Sequence, residues 1–201
     1  MDPLIAVENF RAQINNFVAL TDEEWDLFKQ HINYRQLKKK ALLAEEGKVC
    51  DEIGFIALGS VRYFHMRDGV DITGYFSFDN EFVSSYKSFI KQEPSLNYIQ
   101  TLEDSLILTI KHKSWHEMLN DVRLAYKIER FGRLIAEYYL CCYEDRVTAF
   151  ITQTPEERYL KLMETGREIL LRIPQHYVAN FLGITPVSLS RIRKRVLTIH
   201  R

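Results

Sequence analysis

The chain has 201 residues, 46% of them hydrophobic and 27% charged, with 27 basic and 27 acidic side chains in balance. That is enough for one large domain, or a medium domain plus a small one, each with its own core. No run approaches the eighteen or so apolar residues of a membrane span, and the start "MDPLIAVENF" lacks the basic-then-apolar order of a signal peptide, so no membrane partner and a cytoplasmic location are expected.

Residues 3–32 predict two helices. Leu4, Val7, Phe10, Ile14, Phe17 and Val18 recur at helical spacing, and Thr21 followed by Glu24 reads as a capping box for "DEEWDLFKQHI". From Tyr34 to Ile110 the pattern changes to short runs of Ile, Val, Phe, Tyr and Thr broken by Gly47, Gly59, Gly69, Gly74, "FDNE" and Pro94, the rhythm of an antiparallel sandwich or barrel. Helical spacing returns at 114–120, with Ser114 as its cap.

The next segment, "DVRLAYKIERFGRLIAEYYLCCYEDRVTAF", places Leu124, Ile128, Phe131, Ile135, Tyr138 and Cys142 at spacings of 4, 3, 4, 3 and 4. This heptad seam faces either the chain's own core or the same helix of a second copy. The expected arrangement is a homodimer through Leu124, Ile128, Phe131, Ile135 and Tyr138, with Leu134 and Leu140 packed on the sheet.

The charge balance is not uniform. Residues 1–150 carry 18 basic and 23 acidic side chains, residues 151–201 carry 9 and 4, and no acidic side chain follows Gly183. A surface that meets polyphosphate has this character. Within it, "NFLGITPVSLSRIRKR" combines a short apolar helix ending in Phe181 and Leu182, a reversal at Gly183, an apolar plug at Ile184, and Thr185 as the cap of a second helix with Pro186 at its first position. Leu189 and Ile192 face inward on that second helix. Val187, Ser188, Arg191, Lys194 and Arg195 remain outward, a mixture suited to the major groove of DNA. Val187 can meet a thymine methyl, Ser188 and Arg191 base edges, and Lys194 and Arg195 phosphates; Arg193 serves a phosphate or turns back on the protein.

The stretch "LGITPVSLSRIRKR" resembles the helix-turn-helix of the catabolite-activator/fumarate-nitrate-regulator (CRP/FNR) family, especially its short members. Upstream, "EEGKVCDEIGFIALGSVRYFH" is similar to that family's β-roll signature, carried here by Gly47, Gly59, Val61, Arg62 and Phe64. The resemblance implies an α+β fold. It runs from N-terminal helices and an antiparallel, cyclic-nucleotide-binding-like β-roll at residues 1–120, through a dimerisation helix at 121–150, to a helix-turn-helix domain at 151–201. Implied partners are double-stranded DNA with a two-fold symmetric operator, a second copy of the chain, and RNA polymerase. Thr185, Pro186, Val187, Ser188, Arg191, Lys194 and Arg195 are the DNA-binding set.

Ligand chemistry departs from the family. Its cyclic-nucleotide binders hold the ribose with a Glu and the cyclic phosphate with an Arg. Alignment on "TLED" puts Ser95 at the Arg position and Ser84 or Ser85 at the Glu position, with Lys87 or Lys91 as substitute cations. Ser84, Ser85, Lys87 and Ser95 are therefore the candidate pocket of an effector that is not cyclic AMP, and no cofactor is expected. Cys50, Cys141 and Cys142 form no metal or cluster motif, and residues 1–49 contain no cysteine. His31, His65, His112, His116, His176 and His200 are scattered; His112 and His116 could share a metal from one helix, but no metal site is expected. No catalytic constellation stands out. The alternative reading is a ligand-binding or protein-interaction module with a vestigial helix-turn-helix, kept open because the six residues after Arg195 leave little room for a β-hairpin wing.

Overall fold

Residues 2–199 are described by a computed structural model, with side chains for 2–196. His200 and Arg201 lie outside them, so the acid-free stretch is described only as far as Ile199. Helix α1 (Pro3–Asn15) starts where the Asp2 carboxylate accepts the Leu4 N–H and Pro3 occupies the first turn. Ala6, Phe10 and Ile14 form its buried row, whereas Leu4, expected on that row, is exposed one turn before the core begins. Helix α2 (Asp22–Phe28) opens with the expected capping box between Thr21 and Glu24. The Thr21 N–H and the Lys127 ammonium hold the Glu24 carboxyl below its ordinary pKa. A 3₁₀ turn at Lys29–His31 then leads into the strands.

Strands β1 (Asn33–Leu37), β2 (Leu42–Ala44), β3 (Glu52–Leu58), β4 (Val61–Arg67), β5 (Val70–Ser77), β6 (Phe82–Val83), β7 (Tyr98–Thr101) and β8 (Ser105–Lys111) form two antiparallel four-stranded sheets, ordered β1-β8-β3-β6 and β2-β7-β4-β5. The chain crosses repeatedly between them, which makes a roll. Helix α3 (Tyr86–Lys91) bridges β6 and β7. Side chains alternate along a strand, so "SLILTI" in β8 can be buried throughout only if both faces are covered. Ile107 meets Ile56, Val61, Val83 and Ile99 between the sheets, while Leu106, Leu108 and Ile110 meet Phe10, Phe28, Trp115 and Met118 of the helices outside.

Helix α4 (His112–Asn120) begins two residues before the expected Ser114 cap. The physical reason is that β8 runs straight into it: the His112 N–H donates to Asp51 O, so a strand neighbour satisfies the first orphan amide and no side-chain cap is needed. Helix α5 (Ala125–Thr152) follows. Its start overturns the expected dimer seam. Leu124, Ile128 and Phe131 are buried in the chain's own core, Ile135 packs at its edge, and Phe131 sits edge-on to Phe17 and Phe82 at 5.9 and 5.5 Å. A row consumed by the monomer cannot also pair two copies. Only Tyr138 of the five is exposed, and Leu140, expected on the sheet, is 61% exposed.

Helices α6 (Pro155–Thr165), α7 (Arg167–Arg172), α8 (Gln175–Phe181) and α9 (Pro186–Ile199) close around Tyr159, Leu162, Ile173, Val178, Leu182, Leu189, Ile192 and Val196. Phe76 and Phe78 of the roll complete this second core.

The β3–β4 turn depends on Gly59, whose φ of +116° is costly for a side chain and whose added Cβ would lie 2.2 Å from Ser105 Oγ. Gly59→Ala is expected to lower stability by about 2 kcal/mol or more, read as an earlier midpoint in urea unfolding; an unchanged midpoint contradicts this account of the turn.

Candidate nucleic-acid interface

The α8–α9 corner is built as its sequence requires. Gly183 adopts φ +72°, its N–H donates to Asn180 O, and the Ile184 N–H donates to Ala179 O, the paired bonds of a Schellman ending. The Thr185 hydroxyl then accepts the Ser188 N–H at 3.2 Å, and Pro186 begins α9. Leu189, Ile192 and Val196 are buried, so the opposite face of α9 is turned outward.

That face carries the predicted residues. Val187 is 60% exposed, and Arg191 is exposed without an ion-pair partner among the described residues. Thr185 and Pro186 are exposed at the helix start, Ser188 is half-buried against Thr185, and Lys194 is exposed. Arg193 donates to Gln175 Oε1 at 2.8 Å, and Arg195 pairs with Glu156. An outward row of an apolar group, a hydroxyl and cations, on a helix whose other side is locked in a core, can read groove edges and contact phosphate.

The helix-turn-helix unit is fastened to the roll by a set of polar and cationic groups. Arg62 of β4 is almost fully buried, pairs with Asp71 at 2.6 Å and donates to Gln100 Oε1; its guanidinium lies between the rings of Phe64 and of Tyr177 from α8. Asn180 donates to Asp71 O, and Arg172 bridges Asp79, Glu103 and Glu168. From α5, Arg146 donates to Phe181 O and stacks on Phe181, and Arg158 of α6 donates to Leu182 O. Burial pushes Arg146 down to about 10, still cationic at neutral pH. These partners lie up to 115 residues apart, as Arg62 and Tyr177 do, so no local periodicity could have announced the pairing.

Three of the four candidate pocket residues do come together. Ser85 Oγ and Ser95 Oγ are 2.8 Å apart, Ser85 donates to Asn97 Oδ1, and Ser95 bonds Asn97 O. Ser84 donates to Glu52 O beside them. Both Ser85 and Ser95 are buried and satisfied by this network. Lys87 is exposed on α3 and makes no bond to them. Nearby, Tyr63, Tyr75, Tyr139 and Glu81 fill the space between roll and α5; burial raises all four pKa values. His112 Nε2 and His116 Nε2 lie 3.0 Å apart, yet no group of three metal-binding side chains occurs among the described residues.

No family model matches the chain, and no curated protein matches it in sequence. Solved structures match in fold. FixK2 from Bradyrhizobium japonicum aligns with a TM-score of 0.67 and 17% identity over 84% of this chain and 86% of that one. CLP from Xanthomonas campestris, a c-di-GMP-responsive global regulator, aligns at 0.66 and 14% over 90% and 93%. A transcriptional regulator assigned to the CRP/FNR family from Eubacterium rectale aligns at 0.63 and 17% over 94% and 88%. The architecture is thus that of a β-roll joined to a helix-turn-helix unit. The chain has the CRP/FNR regulator fold. No helix among the described residues is long and apolar enough to cross a membrane.

Proposed function

We propose that this chain is a transcription regulator that binds DNA as a homodimer, with residues 1–120 as its sensor, 121–150 as the dimerisation segment and 151–201 as the DNA-binding part. The observation that carries this reading is the outward face of α9: Val187, Ser188, Arg191 and Lys194 on a helix capped by Thr185 and held by a glycine turn. In the proposed docking Arg191 reads a base edge and Lys194 a phosphate, and two copies present their α9 helices to successive major grooves about 34 Å apart.

For the homodimer, the supporting feature is the far half of α5. Leu140, Tyr143, Val147 and Ile151 recur at spacings of 3, 4 and 4 on its surface, and Ile151 is 77% exposed. Such a stripe is costly to leave in water and suits a two-fold partner of the same shape. It replaces the seam of Leu124, Ile128 and Phe131. The effector is not a cyclic nucleotide in this reading, because the Ser85–Ser95–Asn97 network offers neither cation nor carboxylate and is already bonded to itself.

Three measurements test these assignments. Arg191→Ala is expected to weaken the best DNA site by about 1–3 kcal/mol and to relax preference at one base pair per half-site, whereas Lys194→Ala weakens all sequences alike and lowers the salt slope by about one; binding and base preference untouched by Arg191→Ala refute the docking. Light scattering at micromolar concentration should find a dimer, and Val147→Asp should convert it to a folded monomer; a dimer indifferent to that charge argues against the stripe. Calorimetric titration with cyclic AMP should give no heat of binding, and a micromolar affinity would overturn the reading of the serine network.

A further inference from the structure

We infer that Glu156 is an internal competitor for the DNA phosphate that Arg195 would otherwise contact, and that it weakens the grip of this chain on DNA of any sequence. The inference rests on the DNA-binding reading above and names how that surface is regulated. The start of α6 and the flank of α9 form an open cleft of about 580 Å³ lined by Thr154, Glu156, Glu157, Ser188, Arg191 and Arg195. Across it Arg195 Nη2 lies 2.5 Å from Glu156 Oε2, although the two are 39 residues apart in sequence.

Glu156 and Glu157 are neighbours with different tasks. The Glu157 carboxylate closes the α6 capping box, accepting the N–H and hydroxyl of Thr154, and these bonds hold its pKa down. Glu156 is not needed for the cap. Its carboxylate reaches away from its own helix to a cation on α9, the helix that carries no acidic residue of its own. The pair is open to solvent, with Arg195 61% and Glu156 33% exposed, so it adds little to folding. Its consequence lies in the charge it removes from the outward face. Arg191, one turn before Arg195, has no ion-pair partner among the described residues, whereas the Arg195 charge is compensated by Glu156.

A phosphate reaching Arg195 meets a carboxylate already bound to it. The phosphate must break that pair and approach a fixed negative charge, so less counterion is released and less affinity is gained. Phosphate contacts carry no base information, so the loss falls equally on operator and random DNA. Glu156 thereby shortens residence on random sequence while leaving discrimination between sites intact.

The test is a cycle of Glu156→Gln, Arg195→Ala and the double variant in the full chain, titrated with its best duplex site and with a random duplex across a range of salt. Glu156→Gln should tighten both duplexes by one common factor, roughly three- to tenfold, and steepen the log–log salt slope by about 0.9. Glu156→Ala should act in the same direction. In the Arg195→Ala background the gain should vanish. Unchanged affinity and slope in Glu156→Gln overturn the inference, and so does a gain of equal size without Arg195. If Arg191→Ala weakens binding while Glu156→Gln changes nothing, only this inference falls; a chain that binds no duplex at low salt overturns the DNA-binding reading with it.

Discussion

The packing of the first half of α5 into the core beside the roll is the constraint on which the rest depends. Phe131 is held among Phe17, Phe82 and Trp115, and Gly132 lets the Trp115 ring approach so closely that a Cβ there would stand 3.0 Å from it. With its first turns fixed, the direction of a 28-residue helix, about 42 Å long, is fixed as well. Its second half runs past the roll. There Tyr143 leans on Tyr75, and Arg146 holds the end of α8. One rod therefore ties the orientation of the roll to that of the helix-turn-helix unit.

A second tie runs directly between the two units. A buried guanidinium is tolerated only when its charge is paired and its donors are used. Arg62 meets that condition with Asp71 and Gln100 from the roll, but one face of its plane is covered by Tyr177 of α8. Phe76 and Phe78 likewise belong by chain to the roll and by packing to the helical core. The stability of each unit therefore includes groups supplied by the other.

Much of this was legible because its signals are local. The Thr21–Glu24 cap, the reversal at Gly183 and the start of α9 at Thr185 and Pro186 each follow from residues within a few positions of one another. The heptad of α5 was legible as an apolar row, but periodicity states which face is apolar and not what covers it. Phe17 and Phe82, far off in sequence, claimed Phe131 and left Leu140, Val147 and Ile151 outside. Ser85 and Ser95 lie together in the structure, yet Asn97, which joins them, carried no signal in the sequence. Neither did Glu156, one of two adjacent acids at a helix start, where such residues are common for reasons of capping alone.

Gly183 has a consequence beyond its turn. A Cβ at that position would stand 2.9 Å from the Phe150 ring, which belongs to the last turns of α5, so the residue is constrained by the long helix as well as by its own dihedral angle. The reversal that aims α9 is therefore moulded against the rod that leaves the roll. In engineering terms the helix-turn-helix unit is not a portable cartridge: grafted behind a different connecting helix, it would lose the ring that its tightest bend is shaped to meet, and the aim of α9 would become a property of the graft rather than of the motif.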